Sequence, residues 1–430
     1  MASVRTAPKA RFPAMDRAAG LGGMLRPITT AALFACITPA CGAGADDAPL
    51  TALTAMESPA APGSGEPNLA VGPDGVVYLS WLEPTSDGGH ALRLTRREGT
   101  GWSEPLTIAS GTDFFVNWAD FPSVHVLPDG SLAAHWLVRT GPGASYDIHV
   151  ARSPNGGATW GEAVVPHRDG TVSEHGFVSF VSGVDGQLGL VWLDGRKYAE
   201  AGADDHDPSA EMTLRLTTIG PGGHLGRELL LDDRVCDCCQ TAAAMTDAGP
   251  IVVYRDRSPE EVRDLAVVRY IDGAWTEPRR VHDDGWAIAA CPVNGPSISA
   301  DGRRVAVAWF TAANDSPRVR VAFSEDAGAT FPAVFDVSSG APVGRVDVEL
   351  VESGAALVSW IERTEGGAEV RVRRVAPDGT LGRPLTVTTT SAERASGFPR
   401  MARAGDEVVL AWTEPGTPSR VRVSVAKVGR

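Results

Sequence analysis

The sequence predicts an all-β chain folded as one seven-bladed β-propeller, each blade an antiparallel sheet of four strands. Three observations point there. A pair of apolar-alternating runs joined by a short Gly or Asp turn recurs seven times, the second run of each copy closes on an aromatic residue, and those aromatics are evenly spaced. They are Trp81, Trp136, Trp192, Tyr254, Trp309, Trp360 and Trp412, separated by 55, 56, 62, 55, 51 and 52 residues. Repeats of this length, built from short period-two strands with turn residues between them, are the pattern of propeller blades.

The copies cover residues 67–83, 121–139, 175–196, 240–257, 294–311, 344–363 and 397–414, with turns such as Asp129-Gly130, Asp185-Gly186 and Asp301-Gly302. Two more strands follow each pair; in the first copy they are 91–96 and 105–109, around Gly99-Thr100-Gly101. After Trp412 only one further strand fits, 420–427, which leaves the last blade one strand short. Pro49-Leu50-Thr51 resembles the fourth-strand starts Pro105-Leu106-Thr107 and Pro384-Leu385-Thr386. The mature N-terminal strand is therefore expected to complete the seventh blade and close the ring, which hides an edge that would invite aggregation. The 48 Gly and 31 Pro supply the turns, and 43% hydrophobic residues supply a large core. The seven aromatics are expected between neighbouring sheets.

Residues 1–41 read as an export signal. Arg26 precedes an apolar stretch, 28–40, too short to span a bilayer. Thr38-Pro39-Ala40-Cys41-Gly42 is similar to the bacterial lipoprotein cleavage box, in which Cys41 becomes lipid-modified; cleavage after Ala43-Gly44-Ala45 is the alternative. Residues 42–48 then form a short linker and 49–430 the propeller. This places the protein in the bacterial cell envelope, lipid-anchored or free in the periplasm or outside, touching membrane only through the anchor. The formal charge is −14, and five basic residues (Arg5, Lys9, Arg11, Arg17 and Arg26) lie in the leader, so the body is more acidic still. Such a body lacks the basic footprint that nucleic acid requires.

Two turns between third and fourth strands carry a further signature. Ser153-Pro154-Asn155-Gly156-Gly157-Ala158-Thr159-Trp160 and Ser324-Glu325-Asp326-Ala327-Gly328-Ala329-Thr330-Phe331 resemble the Asp box, S-x-D-x-G-x-T-W. The acid or amide caps backbone N–H groups of the turn and Gly takes a positive φ. On these boxes and the blade pattern the chain resembles the sialidase superfamily and other bacterial-neuraminidase-repeat propellers. The resemblance implies a propeller that binds a glycan or other polar ligand, or alternatively a glycoside hydrolase of exo-α-sialidase type. True sialidases have six blades, an Arg-Ile-Pro motif and a late Tyr nucleophile paired with Glu. Here seven repeats are counted, the motif is absent, and the last tyrosine is Tyr270, with the whole of the last two blades and more still to come.

Function in a propeller is expected where loops enter the innermost strands and leave the second strands, around one mouth of the channel. Those loops supply His175, Gln240, Arg196, Arg255 and Arg257 as candidate ligand-binding residues, the arginines suited to an anionic group. Asp120 and Asp256 are the candidate carboxylates if hydrolysis occurs, because glycoside cleavage needs two. Cys236-Asp237-Cys238-Cys239 precedes the fourth blade and Cys291 the fifth, and these are the four cysteines after Cys41. Disulfides, a thiolate site for copper or zinc with His175 as an extra ligand, and a redox thiol pair are the three readings. No cofactor is otherwise implied. The excursion 197–208, with Asp204-Asp205-His206-Asp207, reads as a solvated surface loop, or as a lid or a cation site.

Overall fold

The computed structural model describes residues 48–429 apart from 185–186 and 202–210. The leader with Cys41, the linker up to residue 47, the Asp185-Gly186 turn and the acidic run of the third-repeat excursion lie outside the described residues.

The chain is a ring of seven antiparallel sheets. Blade one is built from Gly65–Val71, Val77–Pro84, His90–Glu98 and Leu106–Gly111, innermost strand first. Blade three follows the same order with His175–Val184, Gln187–Asp194, Met212–Ile219 and Leu229–Val235, and blades four to six repeat it. Two sheets gain a short hairpin strand, Gly101–Trp102 and Ala274–Trp275. The second sheet has three strands among the described residues; in the fourth place only Val164 pairs, with Val150. Pro166 lacks the N–H that a longer ladder would need. In the last sheet Leu50–Met56 lies antiparallel to Arg420–Val428 as the outermost strand.

The repeating aromatics explain the packing. Seven hydrophobic clusters fill the seven seams between consecutive sheets, and each holds one of them. Trp81 lies between the last blade and the first, beside Val409, Ala411 and Val421. Trp192 fills the second seam and Trp360 the fifth, all three at most 1% exposed. A buried indole still needs a partner for its N–H. Trp81 Nε1 donates to Glu83 Oε2 and Trp192 Nε1 to Asp194 Oδ2, both at 2.8 Å, and Trp360 Nε1 donates to Glu362. Two residues along a strand return to the same face, so an acid at that spacing reaches back over its own tryptophan. Glu83, Asp194 and Glu362 are thus caps for the seams rather than free groups at the mouth.

The two box-like turns behave as local physics requires. Ser153 Oγ and Ser324 Oγ each accept from the Gly N–H four residues on, at 2.9 Å, and Asp326 Oδ1 accepts from Thr330 N at 2.8 Å. Gly157 and Gly328 sit at φ 90° and 77°. Burial alone would raise the Asp326 carboxyl, but these donors outweigh it and hold it at about 2.

Candidate functional site

All seven innermost strands or their leading loops converge on one central cavity of about 290 Å³. Its wall includes Asn68, Asp120, Phe177, Gln240, Gly295, Asp347 and Arg400, one residue from each blade in turn. Of the candidates from sequence, Asp120 and Gln240 line this cavity.

Asp120 belongs to a buried proton-sharing group. Its Oδ2 lies 2.6 Å from Tyr146 Oη, its Oδ1 accepts from Phe177 N at 2.9 Å, and Tyr146 Oη lies 2.7 Å from Glu174 Oε1. One hydroxyl hydrogen cannot serve two carboxylates, so one of the acids carries a proton. Burial pushes Asp120 up to about 7 against the opposing bonds from Tyr146 and Phe177, which makes it that acid near neutrality. The Tyr146–Glu174 couple has the composition of a sialidase nucleophile pair, yet Tyr146 is 0% exposed and stacked on Phe115 at 4.0 Å.

Asp256 is not brought to Asp120. It lies outside the cavity wall, among Asp232, Asp264 and Arg280, and burial with the Asp232 charge raises it to about 6. Gln240 is spent on the scaffold: its amide nitrogen donates to Ala119 O of blade two and its Oε1 accepts from Gly295 N of blade five. This amide is a strut across the mouth.

The three arginines expected to hold an anion are already engaged. Arg255 is 1% exposed and donates to the carbonyls of Asn294, Phe310 and Arg263. Arg257 grips Asp237 at 3.0 Å and Glu261 at 3.0 Å. Arg196 pairs with Asp194 at 2.6 Å and Glu228 at 2.8 Å. A guanidinium placed under a turn finds backbone carbonyls within its fork, and sequence gives no sign of which ones.

The cationic and aromatic groups at the mouth come instead from other entering loops. The half-buried Trp118, just ahead of Asp120, stacks on Phe398 at 5.8 Å. Arg345 and Arg394 lie 4.7 and 5.9 Å from its ring, and Arg400 lies 5.8 Å from the Phe121 ring. Arg345 is anchored by Glu393 O and Gly397 O, whereas Arg394 is exposed. Arg400 Nε is buried without a hydrogen-bond partner, 3.6 Å from Asp347 Oδ2.

His175 sits in a seam, not in the cavity. It is 0% exposed and its ring stacks on that of His167 at 3.7 Å and 2°. Asp147 Oδ1 lies 3.6 Å from His175 Nδ1, and Asp169 Oδ2 lies 3.2 Å from Nε2. Burial alone would lower the His175 pKa; Asp147, Asp169 and Asp194 outweigh it and raise it to about 9. His167, Asp169 and Asp147 escaped the sequence reading because nothing in a blade linker marks which residue folds back onto the next strand.

The four cysteines do meet. Cys236, Cys238 and Cys239 offer sulfurs that all lie within 4.8 Å of one another, and Cys238 hydrogen-bonds Cys291 from the next blade. All four are free, with Cys236 Sγ 2.7 Å from Cys239 Sγ, beyond the bonded length of about 2.05 Å. The disulfide expectation is therefore not met in this structure. Cys236 and Cys239 are 1% exposed, and Arg263 Nη1 lies 3.4 Å from Cys236 Sγ. Burial alone would raise the Cys236 thiol, but the Cys238 and Cys239 thiols and Arg263 outweigh it and hold it well below the usual range.

No protein-family model matches the chain, and no curated protein matches it. Solved structures do resemble it. A protein of unknown function from Dyadobacter fermentans is 16% identical, with TM-score 0.50 over 87% of this chain and 98% of that one. The polysaccharide lyase Uly1 is 11% identical, with TM-score 0.51 over 85% and 90%. The α-L-arabinofuranosidase Arb93A from Fusarium graminearum, complexed with an iminosugar inhibitor, is 12% identical, with TM-score 0.50 over 88% and 98%. At these identities the likeness carries architecture and no reaction: the chain shares the fold of these proteins.

Proposed function

We propose that the protein binds an acidic oligosaccharide at the channel mouth. The observation that carries this reading is the Trp118 ring, half-buried over Phe398, with the exposed Arg394 beside it and the cavity behind. A flat aromatic face stacks on the apolar face of a sugar ring, a guanidinium pairs with a carboxylate or sulfate, and buried polar wall groups meet hydroxyls. Two of the three solved structures named above are of carbohydrate-active enzymes, which agrees with that ligand class.

Calorimetry against sialylated, uronate and sulfated oligosaccharides, each with its neutral counterpart, tests the reading. Acidic members should bind, and Trp118→Ala should weaken binding about tenfold, the ~1.4 kcal/mol of a lost stacking face. Equal binding by neutral counterparts, or none by any member, would refute it.

The alternative is hydrolysis of exo-α-sialidase type, with Asp120, held at about 7, as proton donor. Against it stands the burial of Tyr146, which a substrate carbon cannot reach. Release of fluorophore from sialyl or other aryl glycosides, abolished by Asp120→Asn, would establish the enzyme and displace the binding reading.

A further inference from the structure

We propose that Cys236, Cys238 and Cys239 form a three-thiolate site for one copper(I) ion in the loop that enters blade four. This inference stands apart from the glycan reading and uses none of its residues.

Cys239 and Cys291 lie 52 residues apart in sequence, and the entering loops of consecutive blades bring four sulfurs together. Cys238 packs against the edge of the hydrophobic cluster between blades three and four. Three of the sulfurs lie within mutual reach of a single ion. Two are buried at 1%, while Cys238 is half-buried and Cys291 exposed, so the cluster has a dry floor and an opening for the ion.

Thiolate sulfur is a soft donor and selects copper(I) or zinc over hard cations. The spacing decides between them. A structural zinc site takes four tetrahedral ligands from pairs separated by two to four residues. Here three sulfurs come from four consecutive residues, two of them adjacent, and Cys291, which hydrogen-bonds Cys238, is not among the three within mutual reach. That short bite suits a three-coordinate ion. Three thiolates around Cu⁺ carry a net charge of −2. Arg263, 3% exposed, contacts Cys236 and offsets part of that charge, although it also pairs with Glu261 at 2.9 Å and Asp237 at 3.6 Å. Gln240 directly follows Cys239, so the ion would also brace the loop from which the strut to Ala119 and Gly295 departs.

The test uses the full mature chain, reduced and kept anaerobic, titrated with copper(I) against bicinchoninate and separately with zinc, with X-ray absorption on the loaded protein. One copper per chain, held against the chelator and surrounded by three sulfurs, is expected. Cys238→Ser and Cys239→Ser should each weaken copper at least a hundredfold with an unchanged circular dichroism spectrum, while Cys291→Ser keeps the stoichiometry. Failure of the folded, four-thiol protein to hold copper against the chelator would overturn the proposal. So would tight zinc in a four-sulfur shell that Cys291→Ser destroys. Loss of glycan binding in any variant bears on neither outcome.

Discussion

Residue by residue, the seam between blades two and three shows how charge is kept inside the ring. His175 is raised to about 9, so its contribution to stability is complete below its unfolded value near 6.5 and is lost as pH rises through 9. Asp194 and Asp169 are held low by His175 and its neighbours once burial is outweighed, so their contribution is present above about 4 and is lost on acidification. The channel acids act in the same sense as His175. Burial raises Asp120 to about 7 and Glu349 to about 8, so ionising them costs stability as pH climbs. The melting temperature should therefore peak at about pH 4 to 5 and fall by at least a few degrees by pH 9. Scanning calorimetry across that range checks it, and a maximum near pH 9 would contradict it. Gly176 is the tightest point of this region: a Cβ there would lie 1.9 Å from Asp120 Oδ2 and 2.7 Å from Tyr146 Oη. Gly176→Ala should break the Asp120–Tyr146 contact and lower stability by ~1–3 kcal/mol in urea unfolding; a neutral result would mean the contact is dispensable.

Among the elements, the second strand of each blade does two things at once. It sends an aromatic into the seam and, in blades one, three and six, an acid back over that aromatic's N–H. Trp360→Ala should cost ~3–5 kcal/mol by opening a cavity, and Trp360→Phe ~1–3 kcal/mol by leaving Glu362, 2% exposed, without its donor. Guanidinium unfolding of the two variants separates these terms, and equal losses would show that the indole hydrogen bond is the whole effect. The aromatics were legible in the sequence because each blade repeats them at one place in its alternation. The partners of Arg255, Arg257 and Gln240 were not, because they are backbone carbonyls and acids from neighbouring loops, brought close only when the sheets stack. Trp118 and Arg394 stood among the entering-loop residues but carried no pattern to set them above the rest. Cys236 and Cys291 were placed together from blade order alone, since consecutive blades put their entering loops side by side.

For the whole molecule, the argument is convergence. Seven seams of similar composition hold the ring, and loops far apart in sequence meet around one axis. A local cationic and aromatic patch, Trp118 with Arg394 and Arg400, is the feature of the mouth suited to an anionic sugar. The most direct test is hydrogen–deuterium exchange with and without the acidic oligosaccharide that the calorimetric panel binds most tightly. Protection is predicted in the loops of several blades together, around residues 117–121, 239–241, 294–296 and 392–400. Protection confined to the outermost strands or to a single blade would contradict the channel mouth as the binding site.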